Sequence, residues 1–418
     1  MLFLQFISKS VMMQYLTHTL SNGLRMIHLP QKSPVGYCGF VMKIGSRDEL
    51  HDEHGYAHFV EHLLFKGTFK RKAYHILNRM ENVGGELNAY TTKEETFVYA
   101  LFMKNNFERA VELISDIIIH SQFPANEIEK EREVVLDEIQ SYKDNPAELI
   151  FDEFENLLYS GHSLGHDILG NKRTLQKFKT GTGLSFVHRH YAVDNMAFFS
   201  MGEIEFNKII RLADKYFAEI PIDAYPCSRI KPQPNHPQHL VKKKKTHQTH
   251  VITGGSAYDM HNEKRFTLSL LNNMLGGAGM NSRLNVALRE KHGLVYHVES
   301  HITSYTDTGL CSIYFGTDPK NKEKALQLVQ KELHRFCEQK MSDLQLSMAK
   351  KQAFGQMVLA LENREALFLG MGKSFLHFNR YDSLQEVFHK IEQITPQQIR
   401  ETANEVFNPD QLFCLVFE

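Results

Sequence analysis

The chain has 418 residues, 42% of them hydrophobic and 23% charged, with a formal net charge of −1. That length exceeds one ordinary core and predicts two or three domains, and the balanced charge gives no electrostatic reason to expect nucleic acid or an anionic membrane as a partner. Five scattered cysteines (Cys38, Cys227, Cys311, Cys337, Cys414) with no C-x-x-C pair argue against a disulfide framework or a thiolate zinc site and point to a reducing compartment.

The first residues, Met1-Leu2-Phe3-Leu4-Gln5-Phe6-Ile7, resemble an export signal only superficially. They lack a basic leading region, a long apolar run and a small-residue cleavage site. Met12 and Met13 serve equally well as the start. No run of 18 apolar residues occurs, so no transmembrane helix is expected, and the expected location is cytoplasmic.

His58-Phe59-Val60-Glu61-His62 follows. Side chains four apart share a helical face, so His58 and His62 can converge on one metal ion with Glu61 beside them. The order is H-x-x-E-H, the zinc-peptidase pattern HExxH reversed. Catalytic zinc takes three protein ligands and leaves a position for water, so a third ligand must lie elsewhere. On the pentapeptide alone, a solvated charged helix face stays open as the alternative. His51 and His54 stand upstream at helical spacing, either as competitors for metal or as surface residues.

The stretch Thr96 to Phe102 reads as a strand, and a helical pattern follows with Phe107, Ala110, Val111, Leu113 and Ile114. Ile128 to Tyr142 reads as an amphipathic helix with Val134, Val135 and Ile139 on its dry side. Glu131 and Glu138 share a face of it. Either could complete a zinc site while the other orients an imidazole.

Five of the twelve prolines fall between Pro221 and Pro237, followed by Lys242-Lys243-Lys244-Lys245. This predicts an extended linker over 221–245, with the lysines as a strand edge or linker end in preference to a nucleic-acid patch. The strand–helix pattern then recurs. Leu310 matches Phe97 and Ala325 matches Ala110, at offsets of 213 and 215 residues. A repeat of that period predicts duplicated α+β domains, 1–220 and 246–418, each an antiparallel sheet covered by helices. The segment Leu275-Gly276-Gly277-Ala278-Gly279 is rich in glycine but lacks both phosphate-loop orders. Helical periodicity runs from Leu384 to Phe407, broken at Pro396.

Residues Gly55 to Thr68 (GYAHFVEHLLFKGT) resemble the active-site helix of the pitrilysin-type (insulinase) zinc metallopeptidases, and the likeness runs from Leu20-Ser21-Asn22-Gly23-Leu24 to the last strand near Phe413. In that family the third zinc ligand is a glutamate about 76 residues past the second histidine, in an E-R-x-V-x-x-x-E segment. Glu138 stands 76 residues after His62, and Glu131 matches the supporting acid. The resemblance therefore implies one Zn2+ per chain on His58, His62 and Glu138, with Glu61 as general base. Gly84-Gly85-Glu86-Leu87-Asn88-Ala89-Tyr90-Thr91 is similar to the family's substrate-binding edge strand, which implicates Asn88, Ala89 and Tyr90. Gly276 and Gly277 resemble its glycine-rich substrate segment. Arg289 and Tyr296, seven residues apart, fit the family's oxyanion-stabilising pair.

The implied protein is a two-domain zinc endopeptidase acting on unfolded peptides in a chamber made by two chains, as a homodimer or as a heterodimer with an inactive homologue. The competing expectation is a non-catalytic partner or scaffold subunit.

Overall fold

The computed structural model describes residues 14–222 and 229–418. The alternative starts at Met1, Met12 and Met13, Cys227 and residues 223–228 of the expected linker lie outside that range. The described residues form two units. The first comprises the chain up to Ile139 together with His166–Arg229 and Ala360–Leu384; the second comprises Gln140–Gly165, Ile230–Leu359 and Gln385–Glu418.

The first unit holds a six-stranded sheet made from β1 (Leu16–Thr19), β2 (Arg25–Pro30), β3 (Val35–Met42), β4 (Glu86–Thr91), β5 (Thr96–Met103) and β6 (Met196–Gly202), in the order β1-β2-β6-β3-β5-β4. The second holds five strands, β7 (His239–Lys242), β8 (Thr249–Ala257), β9 (Val295–Ser304), β10 (Gly309–Thr317) and β11 (Phe413–Phe417), in the order β7-β11-β8-β10-β9. Leaving β1 aside, the two orders are the same sequence of steps, as duplication requires. Each sheet is antiparallel except for one pair, since β2 runs parallel to β6 and β7 parallel to β11. The expected antiparallel pairing holds for every other pair of neighbouring strands. The parallel partners are the first and last strands of each repeat, and the long chain between them supplies the crossover a parallel pair needs.

Both faces of each sheet are buried, which explains why β5 and β10 read as nearly continuous apolar runs. In the first unit Phe40, Val98 and Phe102 face the helices of the same half, Tyr56–Leu64 and Phe107–His120 among them. Alternate residues Val41, Phe97, Phe199 and Met201 face Phe368, Met371 and Phe375 of the helix Arg364–Phe378. In the second unit the corresponding outer face (Ile252, Tyr314, Leu415, Phe417) is covered by Ile150 and Phe154 of the helix Pro146–Leu158. The packed units therefore differ from the expected domains 1–220 and 246–418. Residues 140–165 and 360–384 change places because each carries a helix whose apolar side is buried on the other half's sheet. Gly372 permits one such contact, since a Cβ there would lie 2.7 Å from the Phe199 ring.

The expected linker is shorter than 221–245, because His239–Lys242 is already strand β7, at the sheet edge. Lys242 and Lys244 both reach the Glu153 carboxylate, so part of the lysine run is ion-paired. Pro396 opens the helix Pro396–Val406 after Leu384–Glu392, with the Thr395 hydroxyl accepting from the Gln398 N–H as a cap. No described helix is long and apolar enough to cross a membrane.

Candidate metal centre

The helix Tyr56–Leu64 starts at Gly55, whose φ of +94° is the left-handed region that favours glycine. A Cβ at Gly55 would also meet the Leu169 carbonyl oxygen at 2.7 Å. The first turn is capped by a side chain from outside it. The Glu49 carboxylate accepts from the N–H groups of Gly55 (2.9 Å) and Ala57 (2.8 Å), satisfying donors that a helix start leaves unpaired. Burial pushes the Glu49 carboxyl well above the usual carboxylate range, against those two backbone donors.

One turn on, the His58 and His62 rings lie with centroids 4.6 Å apart. Each presents Nε2 at 3.8 Å from the same oxygen, Glu138 Oε2, which the helix Ala125–Lys143 brings in from the side. His58, His62 and Glu138 offer ligand atoms that all fall within 4.8 Å of one another, the sole such group of His, Cys, Asp or Glu found among the described residues. His51 and His54 are outside it. The His54 ring instead lies against His166, with centroids 3.7 Å apart and the planes tilted by 40°.

The donor set fits zinc. Two imidazole nitrogens and one carboxylate oxygen are a usual catalytic trio, and bonds of about 2.0–2.2 Å can reach these atoms from a point between them after small adjustments. Burial, and then the neighbouring His62, pulls the His58 pKa down to about 3, so its ring is neutral and can act as a ligand. The Glu138 side chain is 41% exposed, leaving the group open to solvent on that side, as a catalytic metal needs.

A second layer holds these groups. Glu131 Oε2 lies 3.2 Å from His62 Nδ1, and Glu131 Oε1 lies 2.7 Å from Lys66 Nζ. The carboxylate fixes the His62 tautomer so that Nε2 is free to bind. Glu61 is buried next to the group, and its Oε2 accepts from the Thr91 hydroxyl at 2.6 Å. Burial pushes its carboxyl above the usual range and Glu138 adds to the rise, while Thr91 and His62 oppose it. Lys66, Glu49 and Thr91 have no role assigned from sequence. Lys66 had a signal, standing four residues after His62, although the helix ends at Leu64 and Lys66 lies just beyond it. Thr91 was marked only as the end of the edge-strand segment, and nothing local marked Glu49.

Thr91 ends β4, which among the described residues pairs only with β5 and leaves its other edge free. Strand alternation sends Leu87, Ala89 and Thr91 toward the helix layer. The Tyr90 ring goes to the opposite face, stacked on Phe97 at 4.6 Å and 12°. Of the expected substrate residues, Asn88 and Tyr90 can thus offer a peptide their backbone edge, while Ala89 also faces the helix side.

Arg289 and Tyr296 belong to the second unit. Arg289 lies in a π-helical turn, Asn285–Glu290, and its guanidinium carbon stands 5.8 Å from the Tyr296 ring centre. Tyr296 is 84% exposed, so its phenol is available to a ligand. Gly276 and Gly277 have a packing reason for being glycine. A Cβ at Gly276 would lie 2.9 Å from the Ser300 backbone nitrogen in β9, and one at Gly277 would lie 2.8 Å from the Asn273 carbonyl oxygen.

Two family models match the chain: one described as insulinase (peptidase family M16) over residues 26–172, and one described as the peptidase M16 inactive domain over residues 184–353. Among curated relatives, an uncharacterized zinc protease of Bacillus subtilis (YmxG) is 31% identical over 401 residues, covering 96% of this chain and 97% of that protein. An uncharacterized zinc protease of Rickettsia felis is 32% identical, with coverage of 93% and 94%. Two solved structures share the fold. A protease from Helicobacter pylori superposes with a TM-score of 0.89 at 22% identity, covering 97% of this chain and all of that one. A peptidase M16 inactive domain from Pseudomonas fluorescens gives 0.88 at 20%, with coverage of 97% and 98%.

Proposed function

The chain belongs to the insulinase family of peptidases, family M16, and we propose that it is a zinc-dependent endopeptidase that hydrolyses unfolded peptides. The observation that carries this reading is the placement of His58 and His62 Nε2 at 3.8 Å from one Glu138 oxygen, with the buried Glu61 carboxylate beside them.

In this reading His58, His62 and Glu138 hold one zinc ion. Bound zinc supplies a Lewis acid that polarises the scissile carbonyl and acidifies water. Glu61 accepts the proton of the attacking water and returns it to the leaving amine. Its raised pKa makes it a stronger base toward the water than an ordinary carboxylate. Glu131 keeps the His62 ring oriented, and Lys66 neutralises Glu131. The free edge of β4 binds the peptide backbone by strand addition, which is indifferent to side-chain identity. Arg289 and Tyr296 face the zinc site of the partner chain and donate to the oxyanion developing there, and Gly276 and Gly277 border the bound peptide.

Pairing of two chains, as a homodimer or with an inactive homologue, is part of the same proposal, with the exposed Tyr296 phenol as its support. A cytoplasmic setting is proposed from the thiols, since Cys38, Cys311, Cys337 and Cys414 are all free.

The deciding experiment compares wild type with Glu61→Gln for zinc content and for cleavage of a quenched peptide library. Stoichiometric zinc with cleavage that the substitution abolishes supports the reading. A zinc-loaded wild type that cuts nothing, or a mutant that cuts equally well, overturns it in favour of a non-catalytic subunit.

A further inference from the structure

Glu61 is held from two sides, and both sides trace back to one arginine. On one side, Glu49 caps the helix that carries His58, Glu61 and His62. On the other, Thr91 donates to the Glu61 carboxylate. The turn containing Glu49 and the turn following Thr91 lie against each other. The Arg47 N–H donates to the Lys93 carbonyl at 2.9 Å, and a Cβ at Gly45 would sit 2.4 Å from the Lys93 carbonyl carbon.

Arg229 joins these turns. Its Nε and Nη2 donate to the two oxygens of Asp48, each at 2.8 Å, and Nη2 also donates to the Glu94 backbone carbonyl at 2.8 Å. Nη1 stands 3.2 Å from the Glu94 carboxylate, which also accepts from Arg47 at 2.6 Å. The side chains are 8% (Arg229), 1% (Asp48), 2% (Glu94) and 1% (Arg47) exposed. Two cations thus balance two carboxylates out of water. The planar guanidinium fork fixes direction as well as distance. Asp48 is next to Glu49, and Glu94 is three residues after Thr91.

We infer that Arg229, reaching in from the segment between the two halves of the chain, is a positioning residue for Glu61. By clamping the 45–49 turn to the 92–95 turn it sets the distance from the motif helix to Thr91, and so the direction of the Glu61 carboxylate. This rests on the peptidase reading, in which Glu61 is the base.

The test uses the full chain carrying Arg229→Met, Arg229→Lys, Thr91→Val or Thr91→Ser. Expected for Arg229→Met is a fall in kcat of about tenfold or more, as small misplacements of catalytic groups give, with KM and zinc content unchanged. Lysine restores part of the loss, because it keeps the charge without the fork. Thr91→Val shows a similar fall and Thr91→Ser is close to wild type. The double variant Arg229→Met/Thr91→Val is no worse than its weaker parent, since both act through one link. Independently of activity, amide hydrogen exchange of metal-free Arg229→Met speeds up in residues 45–57 and 91–96 together.

Wild-type kcat in zinc-loaded Arg229→Met, multiplicative losses in the double variant, or faster exchange in only one of the two segments would each overturn the clamp. If Arg229→Met does not fold, the threonine pair decides, and wild-type kcat in Thr91→Val rejects the proposal. If wild type itself cleaves nothing, the peptidase reading fails, and the exchange measurement still judges the clamp.

Discussion

Thr91 and Glu61 are joined by a 2.6 Å hydrogen bond, so the last residue of an edge strand is tied to the carboxylate next to the candidate metal ligands His58, His62 and Glu138. A peptide added to that edge would be laid down beside the group proposed to take up the proton of the attacking water. The bond connects two segments 30 residues apart and ties the strand to the helix.

Zinc affinity should follow the layering of the site. His62→Gln and Glu138→Gln each remove a ligand and should abolish stoichiometric binding. Glu131→Gln leaves the trio intact but loses the charged partner of His62 Nδ1, and a loss of about 10–100-fold in affinity is expected. Competition against a chromogenic chelator measures all three. Equal affinity in wild type and Glu131→Gln would show that the 3.2 Å contact does not tune the site.

Removing the metal should lower stability reversibly. A ligand bound only by the folded state stabilises it by about 2.7 kcal/mol at a hundred times its Kd. Chelation should therefore lower Tm, and added zinc should restore it, whereas the Glu138→Gln protein should show one Tm with and without zinc. A wild-type Tm that ignores both treatments contradicts the assignment of His58, His62 and Glu138.

Acid should destabilise the metal-free protein from the histidine range downward. Burial pulls His28 down to about 4 against bonds from Ser200 and Ile204, and burial with Arg189 pulls His190 down to about 4. In the unfolded chain both titrate near 6.5. Their folded pKa is the lower one, so the unfolded state takes up protons first. Their contribution to stability is full above pH 6.5 and is lost as pH drops from 6.5 toward 4, while the raised Glu49 carboxyl contributes in the opposite direction. Glu95 extends the loss. Burial alone would raise it, but His377, Lys373 and Thr92 outweigh burial and hold it at about 2, so its contribution disappears between about 4.5 and 2. Calorimetry from pH 8 to 4 checks the sign, and a Tm that is flat below 6.5 refutes it.

Glycine substitutions should separate close packing from open surface. Gly276→Ala drives a methyl against the Ser300 backbone nitrogen at 2.9 Å and should cost about 1–3 kcal/mol, as overpacking does. Gly181→Ala in the helix Thr180–His190 meets nothing within 4 Å and should stabilise by roughly 0.5–1 kcal/mol through helix propensity. Urea midpoints report both. A neutral Gly276→Ala would leave a peptide-binding role as the better explanation of that glycine.

Tyr296→Phe tests the oxyanion donor. The side chain is 84% exposed, so Tm should not move, while kcat should fall by about 10²–10³ if the phenol stabilises the transition state. Light scattering alongside addresses pairing. Full activity in a strictly monomeric preparation would remove the cross-chain role of Tyr296.

The His58/His62 convergence was legible in sequence because a helix places side chains four apart on one face whatever surrounds it. The duplication was legible because β5 with its following helix and β10 with its following helix keep nearly constant spacing. The exchange of Pro146–Leu158 and Arg364–Phe378 between sheets was not, because an amphipathic helix shows that it must be buried and not against which sheet. The parallel β2/β6 and β7/β11 pairs were hidden for a related reason: strand periodicity carries no information on strand direction.

Taken by itself, the sequence determined the chemistry that the chain can offer: two imidazoles, a base between them, and an acidic helix with Glu138 at the family spacing. Those properties are local or are carried by linear spacing. Only the tertiary structure decided that Glu138 approaches both imidazoles, that Glu131 takes the other nitrogen of His62, that Thr91 donates to Glu61, and that Arg229 pairs with Asp48 and Glu94. Such contacts depend on strand register and on buried charges finding partners out of water, and both are settled only when distant segments pack.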